Sequence, residues 1–77
     1  MTRQYHFCGM IRNLETVYEI PDGALLRNPR TGDYYINYFD GTDNVYLFSP
    51  GILNEDLIIA SFLQRVSDWI REVIADA

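Results

Sequence analysis

Apolar residues in the first 48 positions recur mostly at every second residue, and beyond position 55 they recur at every third or fourth. The first period belongs to strands and the second to helices, so the pattern predicts a sheet followed by one helix. In Gln4–Ile11, Tyr5, Phe7 and Ile11 fall on one face, with His6, Cys8 and Met10 on the other. That predicts a strand partly covered on both sides, with Arg12-Asn13 turning the chain after it. Residues 14–20 carry two patterns at once. Thr16, Tyr18 and Ile20 alternate as in a strand, whereas Leu14, Val17 and Tyr18 also fit one face of a short helix capped by Asn13. The dense β-branched residues and the two-turn length favour a strand.

Two turns follow, and each has a mechanism. Ile20-Pro21-Asp22-Gly23 and Asn28–Asp33 both combine a φ-restricting Pro, a self-bonding Asp or Asn and a Gly free to take positive φ. Between them lies a short strand, Ala24–Asn28. Beyond them Tyr34–Phe39 shows the clearest alternation in the chain, and Asp40–Asn44 closes a hairpin onto Val45–Phe48. Short strands joined by tight turns predict an antiparallel four- or five-stranded meander within residues 4–48. Asn54 then offers an N-cap, and Glu55 and Asp56 suit the positive end of a helix dipole. The helix is predicted over about 55–75, with an apolar stripe of Ile59, Phe62, Leu63, Val66, Trp69, Ile70, Val73 and Ile74. The expected fold class is α+β: a meander with one C-terminal amphipathic helix packed on one face, as a single domain over residues 1–77.

Charge changes the picture more than composition does. The net charge is -5 and all six cations are Arg. Arg3, Arg12, Arg27 and Arg30 face three carboxylates before residue 32, whereas Arg65 and Arg71 face eight after it. Binding to a nucleic-acid backbone requires neutralising phosphates, so direct nucleic-acid binding is not expected. A larger protein or protein complex with a basic surface is the expected partner, met by the acidic C-terminal half. The single Cys8 excludes an internal disulfide and a four-cysteine zinc site. The longest apolar run, Leu57–Ala60, is far too short to span a membrane, and the N-terminus lacks a signal-peptide pattern. The expected location is cytoplasmic.

Candidate chemistry is sparse. His6 and Cys8, at i and i+2 on one strand face, are the only nucleophile–base pair, and packing is the simpler account of both. Asp40-Gly41-Thr42-Asp43-Asn44 imitates the start of a calcium loop but has Val45 where Gly is needed and Gly51 where a bidentate Glu is needed. The five glycines stand singly and form no phosphate cradle. The expectation is therefore no catalytic residues, no cofactor, no metal and no enzyme activity.

Two surfaces remain as partner-binding candidates. Tyr34, Tyr35 and Tyr38, with Tyr46 across the hairpin, put aromatic rings on both sheet faces, of which the helix is expected to cover one. Asp68, Glu72 and Asp76 form a carboxylate ladder along the helix, and Asp40 and Asp43 add acid at the hairpin. The ordinary alternatives are high strand propensity for Tyr and a solvated helix face for the acids. No family signature is present. The expected function is that of a small acidic binding protein, an inhibitor of a nucleic-acid-handling complex in the style of phage counter-defence and anti-CRISPR proteins, including DNA mimics. The alternative is a structural or assembly subunit, such as a homodimer, that self-associates through its tyrosine-rich sheet face.

Overall fold

A computed structural model describes residues 2–75. Five strands form one antiparallel sheet in sequence order: β1 (Thr2–Phe7), β2 (Met10–Ile20), β3 (Gly23–Arg27), β4 (Tyr34–Tyr38) and β5 (Tyr46–Phe48). A single helix, α1 (Glu55–Ala75), follows. The meander and the C-terminal helix are as the alternation and the later three-to-four period predict.

The first hairpin corrects one expectation. The chain turns at Cys8-Gly9, with φ of 51° and 77°, and Phe7 pairs with Met10. Two successive residues at positive φ make the tight turn whose twist matches the strands it joins. Gln4–Ile11 is thus a hairpin tip and not a continuous strand, and Ile11 is exposed while Tyr5 is buried.

Residues 14–20 are strand. Thr16 pairs with Leu26 and Tyr18 with Leu25, so Val17 is the extra residue of a β-bulge. Because a bulge sets two residues against one, it shifts the side-chain alternation by one position. Leu14 accordingly joins one face of the sheet, while Val17 and Ile20 join the other. The apparent helical spacing of Leu14, Val17 and Tyr18 is the trace of that bulge.

Apolar residues pack on both faces. One cluster contains Leu25, Ile36 and Phe48 of the sheet with Ile58, Phe62 and Val66 of the helix. Gly23 lies beside it, where a Cβ would sit 3.0 Å from the Asn37 carbonyl oxygen and 3.5 Å from Val66 Cγ2. The second cluster lies on the opposite face and contains Tyr5, Leu14, Ala24, Leu26, Tyr35 and Val45. The sheet supplies this cover itself, by curling until β1 reaches the segment leading into β5. His6 donates its backbone N–H to Asp43 O at 2.9 Å, and Val45 donates to His6 O at 2.8 Å, forming a parallel bridge between His6 and Asn44. The result is a partly closed barrel with its own apolar interior.

Asn37 is buried at the seam of this closure. Its Nδ2 donates to Asn44 O at 2.9 Å and to Thr42 O at 3.4 Å, which holds the turn that delivers Val45 inward. At the other end of the fold Asn54 caps α1, its side-chain oxygen accepting from Leu57 N at 3.3 Å. Twenty-one residues make a helix about 31 Å long, whereas the five residues of β3 span about 17 Å. The helix is longer than the strand it approaches most closely, and Val73 and Ile74 near its C-terminal end remain exposed.

Candidate interaction surface

Three aromatic side chains gather where the C-terminal half of α1 passes the end of β4. Tyr38 stacks on Trp69 with ring centroids 4.9 Å apart and planes 30° apart. Tyr46 of β5 lies beyond Tyr38 at 5.7 Å. Strand geometry places Tyr38 here, because Tyr34, Ile36 and Tyr38 alternate toward the helix. Tyr38 and Trp69 are half-buried, and Tyr46 is 52% exposed. The three rings therefore run from the core outward to solvent.

Charged groups flank the stack. Arg65 precedes Trp69 by one helical turn, and its guanidinium carbon lies 5.7 Å from the Phe48 ring centroid. Burial raises the Tyr38 hydroxyl above the ordinary tyrosine pKa; nearby Arg65 opposes the shift, while Glu72 and Tyr46 add to it. Because the raised pKa favours the neutral phenol, Tyr38 remains a hydrogen-bond donor through the physiological range. Trp, Tyr and Arg are also the residue types enriched at the energetic centres of protein interfaces.

The expected site residues fall in different places. Tyr46 and Glu72 come together around Tyr38, which stacks on Trp69. Tyr34 is half-buried against the helix-side cluster, and Tyr35 is buried on the opposite face, its ring edge-on to Phe7 at 5.2 Å. The uncovered tyrosine face expected from the alternation is thus occupied by the barrel interior. Asp40 is held in its turn, accepting from Thr42 N and Oγ1 at 3.0 and 2.7 Å, and these bonds lower its pKa. Asp43 pairs with Arg3 at 3.0 Å. Asp68 accepts from Gln64 at 3.0 Å and lies 3.6 Å from Arg71. Asp76 lies outside the described residues.

Two members of the surface, Trp69 and Arg65, are not among the residues the sequence singles out for binding. Their signal is the excess length of the helix over β3, the strand it approaches most closely, combined with the i, i+4 spacing of the pair. The expected pairing of His6 with Cys8 on one strand face does not form, because Cys8 occupies the turn. Among the described residues no three of His, Cys, Asp and Glu are grouped to hold a metal ion, and no helix is long and apolar enough to cross a membrane. No family model, curated protein or solved structure matches this chain.

Proposed function

We propose that this protein is a non-enzymatic binding protein that engages another protein through the surface centred on Tyr38, Tyr46 and Trp69. The observation behind this reading is the run of three rings beside Arg65, Trp69 stacked on Tyr38 and Tyr46 tilted against it, which reaches from half-buried positions to solvent. Rings anchored in a core lose little conformational freedom when a partner covers them, so their burial contributes to affinity with a small entropic cost. In this reading α1 lies across one face of the meander and fixes Trp69, while Tyr46 makes the outermost contact.

The net charge of -5 supports a partner with a basic surface, with Asp68 and Glu72 supplying the orientation. A nucleic-acid-binding groove is such a surface, and an acidic helix edge occupying it makes the protein an inhibitor of a nucleic-acid-handling complex. The reading places it in the cytoplasm, where the exposed Cys8 stays reduced. Exposed Val73 and Ile74 favour a second reading, self-association through the end of the helix.

The two readings separate experimentally. Affinity capture from the native host with the parent and with Tyr46→Ala as bait should recover a partner with the parent, and the variant should bind it about tenfold more weakly. Sedimentation of the purified protein over a range of concentrations should show a monomer. Equal recovery by both baits rejects the aromatic surface, and a concentration-dependent dimer lost in Val73→Ser, Ile74→Ser supports self-association.

A further inference from the structure

Six arginines serve an acidic chain, and four of them hold a carboxylate or an aromatic ring. Arg3 pairs with Asp43, Arg27 with Glu15 and Arg71 with Asp68, while Arg65 lies over Phe48. Arg12, which donates to Met10 Sδ at 3.6 Å, and Arg30 make no ion pair among the described residues, although carboxylates outnumber cations by eleven to six. Both line the same groove, of about 500 Å³, between the start of β2 and the β3–β4 loop. We propose that this groove binds a small phosphate monoester, with Arg12 and Arg30 as its anion-binding pair.

The groove is built before any ligand arrives. Arg30 sits on a turn held by three contacts: its own N–H donates to Asn28 Oδ1 at 2.9 Å, Gly32 N donates to Asn28 O at 2.8 Å and Asn28 N donates to Asp33 O at 2.8 Å. Arg12 stands on β2 opposite Tyr5 of β1, so both arginines project from a fixed backbone. The planar donor fork of a guanidinium matches phosphate oxygens, and two forks suit a group carrying close to two negative charges. Asn13 adds an amide donor to the lining, and exposed Ile11 supplies an apolar contact for the organic part of the ester. A volume of this size lies within the range of small-ligand sites.

Asp33 also lines the groove, which sets the selectivity. It accepts from Thr31 Oγ1 at 3.0 Å and leaves a local balance of two cations against one carboxylate. A lone dianion meets a net positive site. A nucleic-acid strand would extend past the groove toward a chain with net charge -5, and repulsion over the roughly 8 Å screening length would oppose it.

The test is a titration of the full chain, followed by amide and arginine side-chain resonances, with phenyl phosphate, inorganic phosphate, dimethyl phosphate and benzyl alcohol as separate probes. Phenyl phosphate should give saturable shifts confined to residues 11–13, 28–33 and Tyr35, leaving Tyr46 and Trp69 unmoved. Inorganic phosphate should compete at the same resonances, while the diester and the alcohol should bind at least about tenfold more weakly. Arg12→Gln with Arg30→Gln should weaken phenyl phosphate about tenfold or more, the loss expected for charge-assisted bonds. Arg12→Lys and Arg30→Lys, which keep the charge and remove the fork, should fall between, and they serve if the Gln variant does not fold. Non-saturating shifts, shifts spread over the whole surface, or equal binding by parent and variants overturns the proposal.

Discussion

Cys8 is the one non-glycine residue with positive φ among those described, and its side chain is exposed. Left-handed backbone costs an ordinary L-residue about 1–2 kcal/mol, while Asn tolerates it through its short polar side chain. Cys8→Asn should therefore stabilise the domain by about 0.5–1 kcal/mol, seen as a higher urea midpoint with an unchanged slope. Cys8→Val should lower the midpoint, since a β-branched residue fits that backbone worst. Gly23 obeys the opposite logic. Its φ is ordinary, so a side chain there would gain about 0.5–1 kcal/mol from the stiffer unfolded chain. Against that stands the added Cβ at 3.0 Å from a backbone oxygen that cannot rotate away. Overpacking costs about 1–3 kcal/mol, so Gly23→Ala should come out destabilising by about 1 kcal/mol in the same measurement. A stabilised Gly23→Ala variant would mean that the β3 backbone lies further from the Asn37 carbonyl of β4 than described.

At the scale of elements, what could be read from sequence depended on whether its cause was local. The helix was legible to within its caps because Asn54, the first-turn acids and the apolar stripe all lie within α1. The strands from Gly23 onward were legible because Pro, Asp, Asn and Gly mark their turns chemically. The Cys8-Gly9 turn was not, since Cys carries no turn preference and the alternation of Tyr5 and Phe7 continues through it to Ile11. Nor was the curl of the sheet, which depends on a contact between residues 6 and 44. That contact is why part of the expected aromatic surface is interior: Tyr35 faces the barrel, while on the helix side Tyr38 stacks on Trp69 and Tyr46 lies against Tyr38. Asn37 holds the closure, so its removal tests the arrangement. Asn37→Leu leaves the Thr42 and Asn44 carbonyls without their donor and should cost about 1–3 kcal/mol. Amide exchange should then speed up most at His6 and Val45, whose bonds close the barrel, and least in α1. Uniform acceleration throughout would show that closure and helix docking form a single cooperative unit.

At the scale of the molecule, charge and aromatic surface should divide the work of binding. Exposed carboxylates act at a distance, whereas stacked rings act only after contact. Reversing Asp68 and Glu72 to Lys adds four units and moves the net charge from -5 to -1. The fold should tolerate this, because both positions are exposed and the Asp68–Arg71 pair is a surface ion pair worth less than about 1 kcal/mol. Association with a basic partner should slow by about tenfold at low ionic strength, and the difference should vanish near 1 M salt, where screening acts within about 3 Å. The dissociation rate should barely change. Tyr46→Ala should show the converse, with faster dissociation at every salt concentration and an unchanged association rate. The crossed design tells two ways of failing apart. If the reversal leaves the association rate unaltered, the acidic helix edge faces away from the partner and steering comes from elsewhere. If Tyr46→Ala instead slows association as steeply as the charge reversal, the aromatic stack is ordering the free protein and is not its contact surface.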